Sequence, residues 1–159
     1  MILDRDIEFM KLAITKAAEG IESGQTPFGA CIVKDDKAIS CCHNKVWVTV
    51  DITAHAEIVA IREACKKLSS VDLSGCVIYS TTEPCPMCFT AIHWAKIDKI
   101  VYGTSIEDAK DFGFSELTIS NKEMKDTGKS KIKIVSGCLK DDSLKLFNIW
   151  KNRDNSRVY

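Results

Sequence analysis

A chain of 159 residues, 45% of them hydrophobic, has the size and composition of one folded domain rather than a disordered segment. Lys plus Arg and Asp plus Glu balance at 22 each, so the strong basic footprint of a phosphate-dependent partner is missing. No apolar run reaches the roughly 18 residues needed to cross a bilayer, and Met1-Ile2-Leu3-Asp4-Arg5-Asp6 has no basic stretch leading into an apolar one. A cytoplasmic protein is expected, with no membrane partner and no nucleic-acid partner.

Asp4 to about Glu22 carries Ile7, Met10, Ala13, Ile14, Ala17 and Ala18 at helical spacing, and Gly20 and Gly24 mark its end. Gln25-Thr26-Pro27 reads as a loop. Gly29 to Val33 and Ala38 to Cys42 are strands of a hairpin across the Lys34–Lys37 turn. Val46 to Thr53 is ambiguous, since its valines and Trp47 could form a strand, but it reads as a loop leading into a second helix from Thr53 to Leu68. Gly75 to Ser80 is a third strand, and Pro86 to Ala95 a third helix. Proline suits a first helical turn, where its missing amide would be unpaired anyway. Lys99 to Gly103 is a fourth strand, Glu107 to Phe112 a short helix, and Lys131 to Val135 a fifth strand. The Lys-rich stretch Lys122 to Lys133 reads as a solvated loop and strand face. Asp141 to about Asn152 closes the chain as an amphipathic helix. The order predicts a single α/β domain over 1–159, in three α-β-α layers around a mixed five-stranded sheet.

Eight cysteines in a chain without a secretory signal imply thiols or metal ligands rather than disulfides. Cys31, Cys65, Cys76 and Cys138 lie in apolar contexts and read as small core residues. Cys41 and Cys42 adjoin a polar turn. Only Cys85 and Cys88 have ligand spacing, three apart on the first turn of the third helix. Thirty residues earlier stands His55-Ala56-Glu57. In mid-helix His55 and Glu57 would point about 200° apart, so they serve one site only beyond the helix N-terminus. Two helix beginnings therefore converge, and their partial positive charge favours thiolate.

One histidine and two thiolates fill three corners of a zinc tetrahedron and leave the fourth for water, the pattern of a catalytic site. Such a zinc acidifies its water so that hydroxide is available near neutral pH. Glu57 then takes the water's proton and returns it to a ring nitrogen and to the leaving amine. Alone, Cys-x-x-Cys could equally be a redox pair or half of a structural zinc site; His-x-Glu followed by Pro-Cys-x-x-Cys is the signature of zinc deaminases. His43 and His93 are the other histidines. His93 reads as a helix surface or core residue.

The chain resembles the cytidine deaminase-like superfamily over most of its length, and within it the small bacterial guanine deaminases. The resemblance rests on Pro27-Phe28-Gly29-Ala30, His43-Asn44, Thr53-Ala54-His55-Ala56-Glu57, Glu83-Pro84-Cys85-Pro86-Met87-Cys88, Ala91-Ile92-His93-Trp94-Ala95, Gly113-Phe114 and Tyr159. It implies the cytidine deaminase-like fold, one zinc per subunit on His55, Cys85 and Cys88, and Glu57 as the proton shuttle. It implies substrate contacts from Phe28, Asn44, Ala54, Trp94, Glu116 and Tyr159, with Phe28 and the His55 ring sandwiching a purine. The C-terminal helix and tail, about 141–159, would close over the pocket. In relatives the tail can cross to the partner subunit, so a homodimer, swapped or unswapped, is expected. Relatives tend to carry Asp-Asp after Gly-Phe, where Ser115-Glu116 stands here; either Glu116 with a longer reach or Ser115 takes that place. Glu83 is expected to order the cysteine loop rather than touch substrate. The implied reaction is guanine plus water giving xanthine plus ammonia; the alternatives are guanosine, cytosine, or adenosine in tRNA.

Overall fold

The computed structural model describes residues 1–154 and 156–159; Asn155, in the tail expected to close the pocket, lies outside the described residues. A five-stranded sheet in the order β2-β1-β3-β4-β5 forms the middle layer, from β1 (Gly29–Lys34), β2 (Lys37–His43), β3 (Cys76–Thr82), β4 (Lys99–Thr104) and β5 (Lys133–Val135). β1 runs antiparallel to both neighbours, while β3, β4 and β5 are mutually parallel. The mixed five-stranded sheet is the expected one.

The seven helices among the described residues are α1 (Asp4–Glu22), α2 (Val46–Thr49), α3 (Ala56–Leu68), α4 (Pro86–Trp94), α5 (Ile106–Asp111), α6 (Asn121–Gly128) and α7 (Lys140–Lys151). The pleat sends successive residues of each strand to opposite faces. Ala30, Ile32, Ile78 and Ile100 meet Ala56, Ala60, Phe89 and Ile92 of α3 and α4. Cys31, Val33, Tyr79 and Val101 meet Phe9, Met10 and Ala13 of α1. α7 packs beside α1 through Leu146, Phe147 and Trp150. α1 lies so close on β1 that a Cβ at Gly29 would collide with the Ala13 carbonyl, which is why glycine opens that strand.

Two segments differ from expectation. Val46–Thr49, expected to be loop, forms one helical turn, because Val46 is buried against Ala54 and Val59. Within the Lys-rich stretch, Asn121–Gly128 is a helix. It lacks an apolar repeat to announce it, yet it has a capping box. The Ser120 hydroxyl accepts from the Glu123 amide at 3.2 Å, and the Glu123 carboxylate accepts from the Ser120 amide at 2.8 Å. No helix among the described residues is long and apolar enough to cross a membrane. All eight cysteines are free.

Candidate active site

The site forms where α3 and α4 begin. His55 is the N-cap of α3 with extended backbone, φ −61° and ψ 155°, and Cys85 is the N-cap of α4 with φ −60° and ψ 165°. Both sit outside helical geometry, so their side chains turn back over the helix starts and the divergence expected in mid-helix does not arise. Cys88 lies on the first turn of α4, and Pro86 opens that helix.

His55 Nδ1 lies 3.7 Å from Cys85 Sγ and 3.6 Å from Cys88 Sγ, and the three ligand atoms fall within 4.8 Å of one another. With Zn–S near 2.3 Å and Zn–N near 2.0–2.1 Å, tetrahedral angles place sulfur and nitrogen about 3.6 Å apart. The donor set and its spacing therefore fit zinc. Bonding to Cys88 and to His55 outweighs burial and holds the Cys85 thiol down to about 4, which favours thiolate. Bonding to Cys85, together with burial, pushes the Cys88 thiol well up. Two adjacent thiolates without a cation between them are mutually unfavourable, the situation a divalent metal relieves.

Glu57 is buried on the first turn of α3. Its Oε1 accepts from the Ser80 hydroxyl at 3.0 Å, and Cys88 Sγ donates to its Oε2 at 3.5 Å. Burial and then the Cys85 charge push this carboxyl up. Burial also lifts Glu116, to about 8, with the Cys85 and Glu57 charges adding to it. Glu116 Oε2 is buried without a hydrogen-bond partner, whereas Ser115 is exposed on the rim. Phe28, His55, Glu57, Thr82, Glu83, Cys85 and Glu116 enclose a small void of about 10 Å³. Outside it, a cavity of about 270 Å³ is lined by His55, Cys85, Phe114, Glu116 and Tyr159, with Ile52, Met87 and Leu117 among the residues at its edge.

The last residue reaches this cavity within the same chain. Asn44 Nδ2 donates to the Tyr159 hydroxyl at 2.8 Å, while Asn44 Oδ1 accepts from the Val46 amide at 3.1 Å. The Tyr159 ring lies 5.5 Å from the His55 ring and packs on Ala54. Burial pushes its hydroxyl well up. Phe28 meets Phe114 edge to face at 4.8 Å.

Of the nine candidates carried by side chains, eight (His55, Glu57, Cys85, Cys88, Phe28, Asn44, Glu116 and Tyr159) gather at this site, whereas Trp94, expected to contact substrate, stands at the far end of α4, is 79% exposed and lines neither space. A nine-residue helix carries its last residue about 12 Å along the axis from its first, which accounts for the distance. Sequence reasoning missed Ser80, which no motif marks. It also missed the pairing of Trp47 with Arg157, whose guanidinium lies 3.8 Å over the indole and pins the tail.

A fold of this kind around a partly buried His-Cys-Cys cluster with an adjacent carboxylate defines a hydrolase of the zinc deaminase class. The family model for the cytidine and deoxycytidylate deaminase zinc-binding region matches residues 3–104, and the chain belongs to that family, enzymes that hydrolyse amino groups from nucleobases or nucleosides. The chain is 40% identical over 152 residues to a guanine deaminase of Bacillus subtilis, covering 95% of this chain and 97% of that protein. It is 35% identical over 151 residues to a tRNA-specific adenosine deaminase of Buchnera aphidicola, covering 94% and 97%. The solved structure of guanine deaminase from Nitrosomonas europaea superposes with a TM-score of 0.86 at 25% identity, covering 96% of this chain and 87% of that one.

Proposed function

We propose that this chain is a zinc-dependent guanine deaminase, converting guanine and water to xanthine and ammonia. The observation that carries the reading is Glu116: a carboxyl group with a buried, unpartnered oxygen, beside Glu57 and the ligand cluster. Such an oxygen calls for a ligand with N–H groups, because a buried acceptor left unmade costs free energy. The guanine edge offers those donors, and cytosine offers fewer. Identity to a guanine deaminase over nearly the whole length supports the same substrate.

His55, Cys85 and Cys88 would hold one zinc per subunit, and zinc, when bound, activates water as the nucleophile. The protein's own residues do the rest. Phe28 and the His55 ring form a slot for a flat base, and stacking in such slots contributes on the order of 1–3 kcal/mol. Asn44 is held by the Val46 amide and presents its amide group beside Tyr159. Glu57, its carboxyl raised by burial, would accept a proton from the water and return it to the substrate. Ser80 fixes the rotamer of that carboxylate. The tail 156–159 excludes water by seating Tyr159 over the cavity. A single domain whose C-terminal helix and tail close the site, and a homodimer, belong to the same reading.

Adenosine in tRNA is the second reading, favoured by the likeness to a tRNA-specific enzyme over nearly the whole chain. Against it, Tyr159 lines the cavity beside the ligand cluster and narrows the space a polynucleotide would need, and Lys122 of the basic stretch is paired with Asp126 at 2.7 Å. Ammonia release from guanine, guanosine, cytosine and tRNA by the zinc-loaded protein decides between them. Guanine is expected to turn over fastest; inosine formation in tRNA without turnover of guanine would overturn the reading.

A further inference from the structure

We propose that Glu83 is a positioning residue that couples the metal-ligating turn to the loop carrying Glu116, an inference that rests on the guanine deaminase reading for its kinetic arm alone. Glu83 is buried two residues before Cys85, and both oxygens of its carboxylate are taken up by backbone amides rather than by the ligand side chains. Its Oε1 accepts from the Asn121 amide at 2.8 Å and its Oε2 from the Ile106 amide at 3.3 Å. These are the first residues of α6 and α5. The segment 112–120, which holds Phe114, Ser115 and Glu116, is strung between those two helices. One carboxylate therefore grips the helix beginning before the loop and the one that follows it.

The same contact is anchored to the cysteine turn from two further directions. The Asn121 side-chain amide, fully buried, donates to the Pro84 carbonyl at 2.6 Å, and the Glu83 amide donates to the Thr104 carbonyl at the end of β4 at 2.7 Å. Residues 83–85 thus cannot shift without moving α6, and α6 cannot shift without moving the loop. Two parts of the pocket, one holding the ligand atoms and one offering the Glu116 carboxylate, keep a fixed separation through Glu83. A carboxylate suits this task because it has two oxygens for two amides, and charge-assisted bonds are shorter and stronger than neutral ones. Glutamine has only one acceptor oxygen and cannot serve both.

The test uses the full zinc-loaded chain and three variants, Glu83→Gln, Asn121→Ala and Asn121→Pro. Proline is accepted at a first helical position, and the extended backbone of Ser120, φ −66° and ψ 156°, suits the residue before it, so Asn121→Pro deletes the amide donor while keeping the helix. Zinc content is expected to stay at the parent level in all three. In Glu83→Gln, hydrogen exchange of the Ile106 or Asn121 amide should accelerate about tenfold, and KM for guanine should rise about tenfold with kcat changed less than threefold, the size of one lost charge-assisted bond. Asn121→Pro should raise KM beyond Asn121→Ala. A merely structural role would lower the active fraction and so kcat, leaving KM alone. Unchanged KM and unchanged amide exchange in Glu83→Gln, or loss of zinc with KM unaltered, would overturn the proposal. Should Glu83→Gln fail to fold, equal KM values for the two Asn121 variants would overturn it as well. If the parent chain does not deaminate guanine, the functional reading fails, and amide exchange still reports on the Glu83 coupling.

Discussion

Two buried carboxylates stand on opposite faces of the sheet, reached by neighbouring residues of β3. Tyr79 points to the α1 face, where its hydroxyl donates to Asp6 at 2.9 Å; Ser80 points to the α3 face, where its hydroxyl donates to Glu57 at 3.0 Å. Asp6 also receives the Leu3 amide at 3.0 Å and the Lys99 ammonium at 3.0 and 3.1 Å. Burial pushes the Asp6 carboxyl up, but Lys99, the Leu3 amide and Tyr79 outweigh it and leave it below its ordinary value. Glu57 has no ammonium or guanidinium beside it. Burial prevails there, and its carboxyl stays raised. Two carboxylates hidden from solvent thus have opposite chemistry. A carboxylate surrounded by donors and a cation is locked in one charge state and holds structure; one left with few partners is poised to exchange a proton.

Breaking the poised side should have the largest effect. Glu57→Gln keeps the volume and removes the proton carrier, so turnover should fall by about 10²–10⁴-fold while zinc content, measured by elemental analysis, stays at the parent level. Substantial residual turnover would show that Glu57 is not the shuttle. Breaking the locked side should cost stability and spare chemistry. Asp6→Ala leaves Lys99 without its partner and should destabilise by about 3–5 kcal/mol, read from denaturant unfolding, with activity per folded molecule unchanged. The sign with pH follows from a lowered carboxyl: the stability Asp6 contributes is present above the ordinary aspartate value and is lost as pH falls through the folded one. In acid, the parent and Asp6→Ala should therefore converge in stability.

Glu116→Gln sharpens the contrast, because it alters a carboxylate with an oxygen still seeking a partner. KM for guanine should rise about 10- to 100-fold, and the melting temperature should not fall. A drop in melting temperature with unchanged KM would move Glu116 to the structural side. Ser80→Ala should have the smallest effect, a loss of about three- to tenfold in kcat/KM, since it removes one hydrogen bond that orients Glu57.

What the sequence determined by itself is local. Apolar residues three and four apart specify α1, α3 and α7, and short β-branched runs specify the strands, because backbone periodicity is set within a few residues. Ligand chemistry is legible for the same reason: Cys85 and Cys88 share one helical turn, and the pair becomes diagnostic only together with His55-Ala56-Glu57. α6 escaped because its evidence is a cap, not an apolar stripe. Tertiary structure alone decided which distant groups meet. Ser80 reaches Glu57 across 23 residues, Glu83 reaches Asn121 across 38, and Asn44 reaches Tyr159 across 115. It also turned Glu116 inward and Ser115 outward, and left Trp94 at the exposed end of its helix. Such pairings depend on the path of the chain through three layers, and no short-range pattern encodes that path.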